Sequence, residues 1–202
     1  HPIPCHRPLV AVPRDNTLSE SHDEQPGGER DPELEPGTVL VAGTVIYGGM
    51  AAAALIWLWT RERSGALAEQ AIGDYGPWAS SGVGLVVGLI GAWLLGYLTK
   101  RFTSLQEVAS AAQRVFARAG EGVGIAFVLI SAIAEELFFR LAVQDLFGLI
   151  GSVACYVLLN SSVGGLRWIL FTFAHALTLG LIVELGFGLL GSTTAHAILN
   201  YL

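Results

Sequence analysis

Six residues in the last third of this chain place acids, bases and hydrogen-bonding groups inside otherwise apolar runs: Glu135, Glu136, Arg140, His175, His196 and Asn200. Ionisable groups in such runs are costly, which makes them functional candidates by default. Glu136 and Arg140 are four positions apart, so a helix puts them on one face where they can pair. Glu135 points about 100° away, and one arginine cannot serve both carboxylates equally. Two adjacent carboxylates in a low dielectric resist ionising together, and the arrangement can leave Glu136 as a structural anion with Glu135 poised as a base. A buried ion pair that only fixes helix packing accounts for Glu136 and Arg140 but gives Glu135 no role.

His175 closes the run Phe171-Thr-Phe-Ala-His175. A lone histidine on an apolar helix is commonly a hydrogen-bonded core residue. In His196-Ala-Ile-Leu-Asn200 the two polar residues share a helix face, and both can donate to a single oxygen. The structural alternative is interhelical hydrogen bonding. Together these groups suit peptide hydrolysis. A carboxylate in an apolar bundle can take a proton from water, and donors are needed where the tetrahedral oxygen becomes negative. No serine or cysteine nucleophile lies within these motifs, so attack by activated water is simpler than an acyl-enzyme. The nearest rival is a zinc site built from His175, His196 and Glu135, although no His-Glu-x-x-His is present.

The elements that must position these residues are membrane helices. The 202 residues are 52% hydrophobic and only 14% charged, against about a quarter charged in a soluble domain. Residues 1–36 hold eight acids and three bases, so this segment supplies −5 of the net charge of −6. Rich in proline and acid, it reads as a disordered polar tail. Its His1, Cys5 and His6 could bind a metal, but an unstructured end explains them as well. No signal peptide is legible, and Cys155 reads as a small packing residue.

A spanning helix needs about 20 largely apolar residues. Residues 37–202 form the membrane domain, with candidate spans over 38–60, 80–99, 122–145, 146–163, 166–185 and 187–202. The expected fold is an all-α transmembrane bundle of about six spans plus one amphipathic helix lying in the interface. That helix covers 105–119, where Leu105, Val108, Ala112, Val115 and Phe116 recur at helical spacing. Lys100, Arg101, Arg114 and Arg118 outnumber Arg61 and Arg63 across the second span, which puts the N-terminus and the 100–118 segment in the cytoplasm. No basic stripe suggests nucleic acid.

Three motifs occur in order on three predicted spans within 66 residues: Glu135-Glu136-x-x-x-Arg140, Phe171-x-x-x-His175 and His196-x-x-x-Asn200. Over Ile133 to Leu202 the chain resembles the CPBP family, also called the ABI family, of CAAX proteases and bacteriocin-processing enzymes. The resemblance implies a catalytic core at 121–202 and an intramembrane glutamic endopeptidase acting on a membrane-associated protein or peptide. It also implies no metal and no cofactor. Glu135 would be the catalytic glutamate and His175 would help it activate water. His196 and Asn200 would stabilise the oxyanion, with Glu136 and Arg140 in support. One departure is Leu141, where the family often has glycine.

The Gly- and Ala-rich helices suit a bacterial inner-membrane protein. Readings from other classes are a non-proteolytic adaptor or immunity protein of the same fold, and a transporter using Asp145 and Glu184. The first gives Glu135 no role; for the second, no inverted repeat is visible.

Overall fold

The computed structural model describes residues 36–63, 65–161 and 165–202; most of the polar tail, with His1, Cys5 and His6, lies outside the described residues. Among the described residues every regular element is helical. In chain order these are α1 (Pro36–Thr60), α2 (Ala66–Ile72), α3 (Gly76–Thr99), α4 (Thr103–Ala119), α5 (Glu121–Glu136), α6 (Gln144–Asn160), α7 (Gly165–Ile182) and α8 (Gly188–Tyr201). Two short π-helical segments interrupt the series, Leu137–Val143 between α5 and α6 and Val183–Phe187 between α7 and α8.

Four helical runs are long and apolar enough to cross a membrane: Leu40–Thr60, Gly76–Thr99, Glu121–Asn160 and Gly165–Tyr201. The sequence reading expects six separate spans. The difference arises because its last four are joined pairwise without a loop, giving runs of 40 and 37 residues. At about 1.5 Å per residue, a straight run of that length would be nearly twice as long as a roughly 30 Å hydrocarbon core is thick.

The runs are not straight. Gly148 adopts φ 70° and ψ 178°, outside the helical region, which glycine enters without steric cost. Beyond it α6 folds back, so that the Ser152 hydroxyl donates to the Phe139 carbonyl at 2.8 Å. In a continuous helix those residues would be roughly 20 Å apart. Gly186 and Gly188, at φ 85° and 63°, reverse the second run and bring the rings of His175 and His196 to 5.0 Å. The returning limbs are short. α8 has 14 residues, or about 21 Å of helix.

Close backbone approach locks the bundle. The most extensive helix contact is between α3 and α8. A Cβ on Gly88 would stand 2.8 Å from the Ala195 carbonyl oxygen, and one on Gly91 2.7 Å from Leu199. Small residues permit this spacing, and in lipid packing of this kind is a main source of helix association. The N-terminal half of α1 runs beside the start of α5, with Tyr47 edge-on to Phe127 at 5.5 Å. Further along α1, Leu58 packs with Ala66, Leu137, Leu141 and Leu189. The central core cluster is Phe139, Val143, Val153, Tyr156 and Ala176.

The bundle therefore has two distinct ends. One carries the start of α1, α4 and the start of α7, where the Arg167 guanidinium lies 4.4 Å over the Phe102 ring. The other carries α2 and both reversals. There Arg63 pairs with Asp145, and the Asp74 amide donates to the Gly186 carbonyl at 2.7 Å. Within α4, Leu105 is buried and Val108 half-buried; the side chains of Ala112, Val115 and Phe116 lie outside the described residues.

Candidate active site

α5 carries its apolar run into Glu135 and Glu136 and then widens into a π-helical turn, a rare geometry that recurs at functional sites. Within it Arg140 turns back on its own helix, and its Nε donates to Glu136 Oε2 at 3.3 Å. Arg140 Nη1 donates to Ser152 Oγ at 3.1 Å, and the Ser152 hydroxyl donates in turn to the Phe139 carbonyl. The fold-back at Gly148 thus holds the arginine from a second helix.

α8 supplies the third side. His196 Nδ1 lies 2.9 Å from Glu136 Oε1, and its Nε2 lies 3.8 Å from Glu135 Oε2. The imidazole stands between the two carboxylates. With Nδ1–H directed at Glu136, a bare Nε2 would face a carboxylate oxygen lone pair to lone pair. A proton between Nε2 and Glu135 turns that contact into an attraction.

The glutamates differ in access. Glu136 is enclosed by Arg140 and His196, and its side chain is 1% exposed against 13% for Glu135. Ser192 of α8 also lies within reach of Glu136. Glu135 is partly exposed, and the Tyr156 hydroxyl reaches toward it.

His175 of α7 sits in an aromatic box. Phe171 lies parallel to it at 6.2 Å, Tyr156 edge-on at 6.0 Å and His196 edge-on at 5.0 Å. Its Nε2 is buried with no hydrogen-bond partner. A buried polar atom left in that state calls for a ligand or water.

Five of the six residues singled out from the sequence therefore meet: Glu135, Glu136, Arg140, His175 and His196. Asn200 stands one turn further along α8, exposed. It shares the wall of an adjacent cavity of about 540 Å³ with Phe171, Trp168 and Glu121. The sequence reading sets His196 beside Asn200 as a donor pair; in the structure the nearest polar neighbours of His196 are the two glutamates. Among the described residues no three of His, Cys, Asp and Glu are arranged to hold a metal ion.

The sequence reading does not single out Tyr156 or Ser152. A signal was present. Ser152, Tyr156 and Asn160 recur every four positions along an otherwise apolar helix, which is a polar stripe on one face.

Comparisons with protein-family models, with curated proteins and with solved structures found no match.

Proposed function

We propose that this chain is an intramembrane endopeptidase of the glutamic type, as the resemblance of its motifs to the CPBP family implies. The observation that carries the reading is the partly exposed Glu135 carboxylate beside the enclosed Glu136–Arg140–His196 group, with the unpartnered His175 Nε2 next to His196. Glu136 and Arg140 form a neutral, immobile pair that orients the His196 ring. A water held about 2.8 Å from both Glu135 and His196 Nε2 fits on the flank of that contact. Glu135 takes one proton from this water while its oxygen attacks the scissile carbonyl carbon. His175 donates to the developing oxyanion or holds the attacking water. The proton on Glu135 then passes to the leaving amide nitrogen as the C–N bond breaks, which balances the hydrolysis.

The substrate is a membrane-associated peptide or protein whose backbone is extended at the cleavage point. We also propose that each long helical run enters the bilayer and turns back within it, giving six helical limbs with α4 in the interface. The N-terminus and α4 face the cytoplasm of a bacterial cell.

The test compares wild-type and Glu135→Gln protein in the native host by profiling new peptide N-termini in the membrane fraction. Cut sites present only with the wild type are expected, with equal amounts of folded protein in both strains. Cleavage by Glu135→Gln at near wild-type rate would remove Glu135 as the base.

A further inference from the structure

At the end of the bundle that carries both reversals lies a second cavity, of about 410 Å³. It is separated from the glutamates by Arg140 and is lined by Glu69, Asp74, Gln144, Asp145 and Glu184 as well as Arg140 itself. Arg63 neutralises Asp145 and Glu136 neutralises Arg140, which leaves Glu69, Asp74 and Glu184 as excess negative charge.

Two of the residues that line this cavity carry orphan polar atoms. Arg140 Nη2 and Gln144 Oε1 have no hydrogen-bond partner, although their residues are only 1% and 7% exposed. The orientation of the Gln144 amide is set by its neighbours. Its Nε2 donates to Glu184 Oε1 at 2.9 Å and to the Gly180 carbonyl at 3.3 Å. Both partners are acceptors, so the nitrogen must face them and the oxygen must face away.

One orphan is thus a cationic donor and the other a neutral acceptor. A metal cation would serve Gln144 and be repelled by Arg140. An anion would serve Arg140 and be repelled by three carboxylates. Water serves both. At about 30 Å³ per molecule, the cavity has room for on the order of ten waters.

We propose that this cavity is a hydrated, cation-attracting vestibule. It brings water into the bundle from the α2 end as far as Arg140, on the face opposite to the Glu136 pair. The vestibule lies away from the apolar cavity beside Asn200, so the protein has a wet end and an apolar end separated by the Arg140–Glu136 pair. This proposal does not rest on the peptidase reading.

The test uses the full chain in proteoliposomes with Cys5→Ser and Cys155→Ala, and single cysteines at Gln144, at lipid-facing Leu158, at Glu62 on the vestibule end and at Gln113 on α4. Cationic trimethylammonium-ethyl and anionic sulfonatoethyl methanethiosulfonates are the probes. Gln144→Cys is expected to react from the Glu62 side roughly tenfold or more faster than Leu158→Cys, and about tenfold faster with the cationic than with the anionic probe. If Gln144→Cys does not accumulate, Glu184→Cys is read in the same way, because Gln144 keeps its bond to Gly180. Reactivity no greater than that of Leu158→Cys, access only from the Gln113 side, or no preference for the cation would each overturn the proposal.

Discussion

Replacing Arg140 by methionine isolates the charge balance at the centre of the bundle. Arg140 is almost fully buried and gives one charge-assisted bond to Glu136 at 3.3 Å and one bond to Ser152 at 3.1 Å. Methionine retains an apolar stem of similar length and removes both bonds. The Ser152 bond contributes about 0.5–1.5 kcal/mol and the charge-assisted bond about 1.5–3 kcal/mol. Glu136 is then left as a buried carboxylate held by His196 at 2.9 Å and by the nearby Ser192 hydroxyl, with no cation of its own. The expected loss for Arg140→Met is therefore roughly 3–5 kcal/mol. Glu136→Gln in the same background removes the stranded charge, so the double variant should be no less stable than Arg140→Met alone. The coupling energy in the cycle should reach about 2–3 kcal/mol. Reversible unfolding in mixed micelles, measured for all four corners of the cycle, reads it directly. Additive costs within about 0.5 kcal/mol, or a loss below about 1 kcal/mol for Arg140→Met, would show that Arg140 does not carry the Glu136 charge.

The two histidines should separate in the same assay. His175→Phe removes an unpartnered buried nitrogen from an aromatic box and is expected to leave unfolding within about 1 kcal/mol of wild type, yet to abolish cleavage. His196→Phe takes the partner of Glu136 Oε1 while Arg140 still holds Oε2, and should cost about 1–3 kcal/mol; equal costs for the two would contradict the difference in their partners. In α3, Gly88→Val meets the α8 backbone and should cost at least about 1–3 kcal/mol by overpacking. Gly48→Val on α1 has nothing within 4 Å and should stay within about 0.5 kcal/mol; the reverse order would mean that α3 does not dock on α8 as described. Proteolysis by purified protein should persist in the presence of chelators, and restoration of lost activity by zinc would move the mechanism to a metal site.

The helices and their apolar character were legible in the residues because both depend on local composition: long uncharged runs must satisfy their own backbone groups in lipid. The Glu136–Arg140 pair was legible for the same reason, since i,i+4 neighbours meet on any helix. The fold-backs were not. Gly148, Gly186 and Gly188 are three among 25 glycines, and most of the others sit in helices. Nothing in an apolar run marks which glycine will take a positive φ, because lipid-facing and helix-facing positions have similar composition. The partner of Glu136 from α8 lies 60 positions away, and Tyr156 reaches Glu135 only because α6 reverses at Gly148. The position of His196 between two carboxylates, the unpartnered nitrogen of His175, and the separation of Asn200 from the cluster were decided by tertiary packing. Each depends on which faces of three helices meet, and that choice is made by close backbone contacts such as Gly88 on Ala195, which have no counterpart in local periodicity.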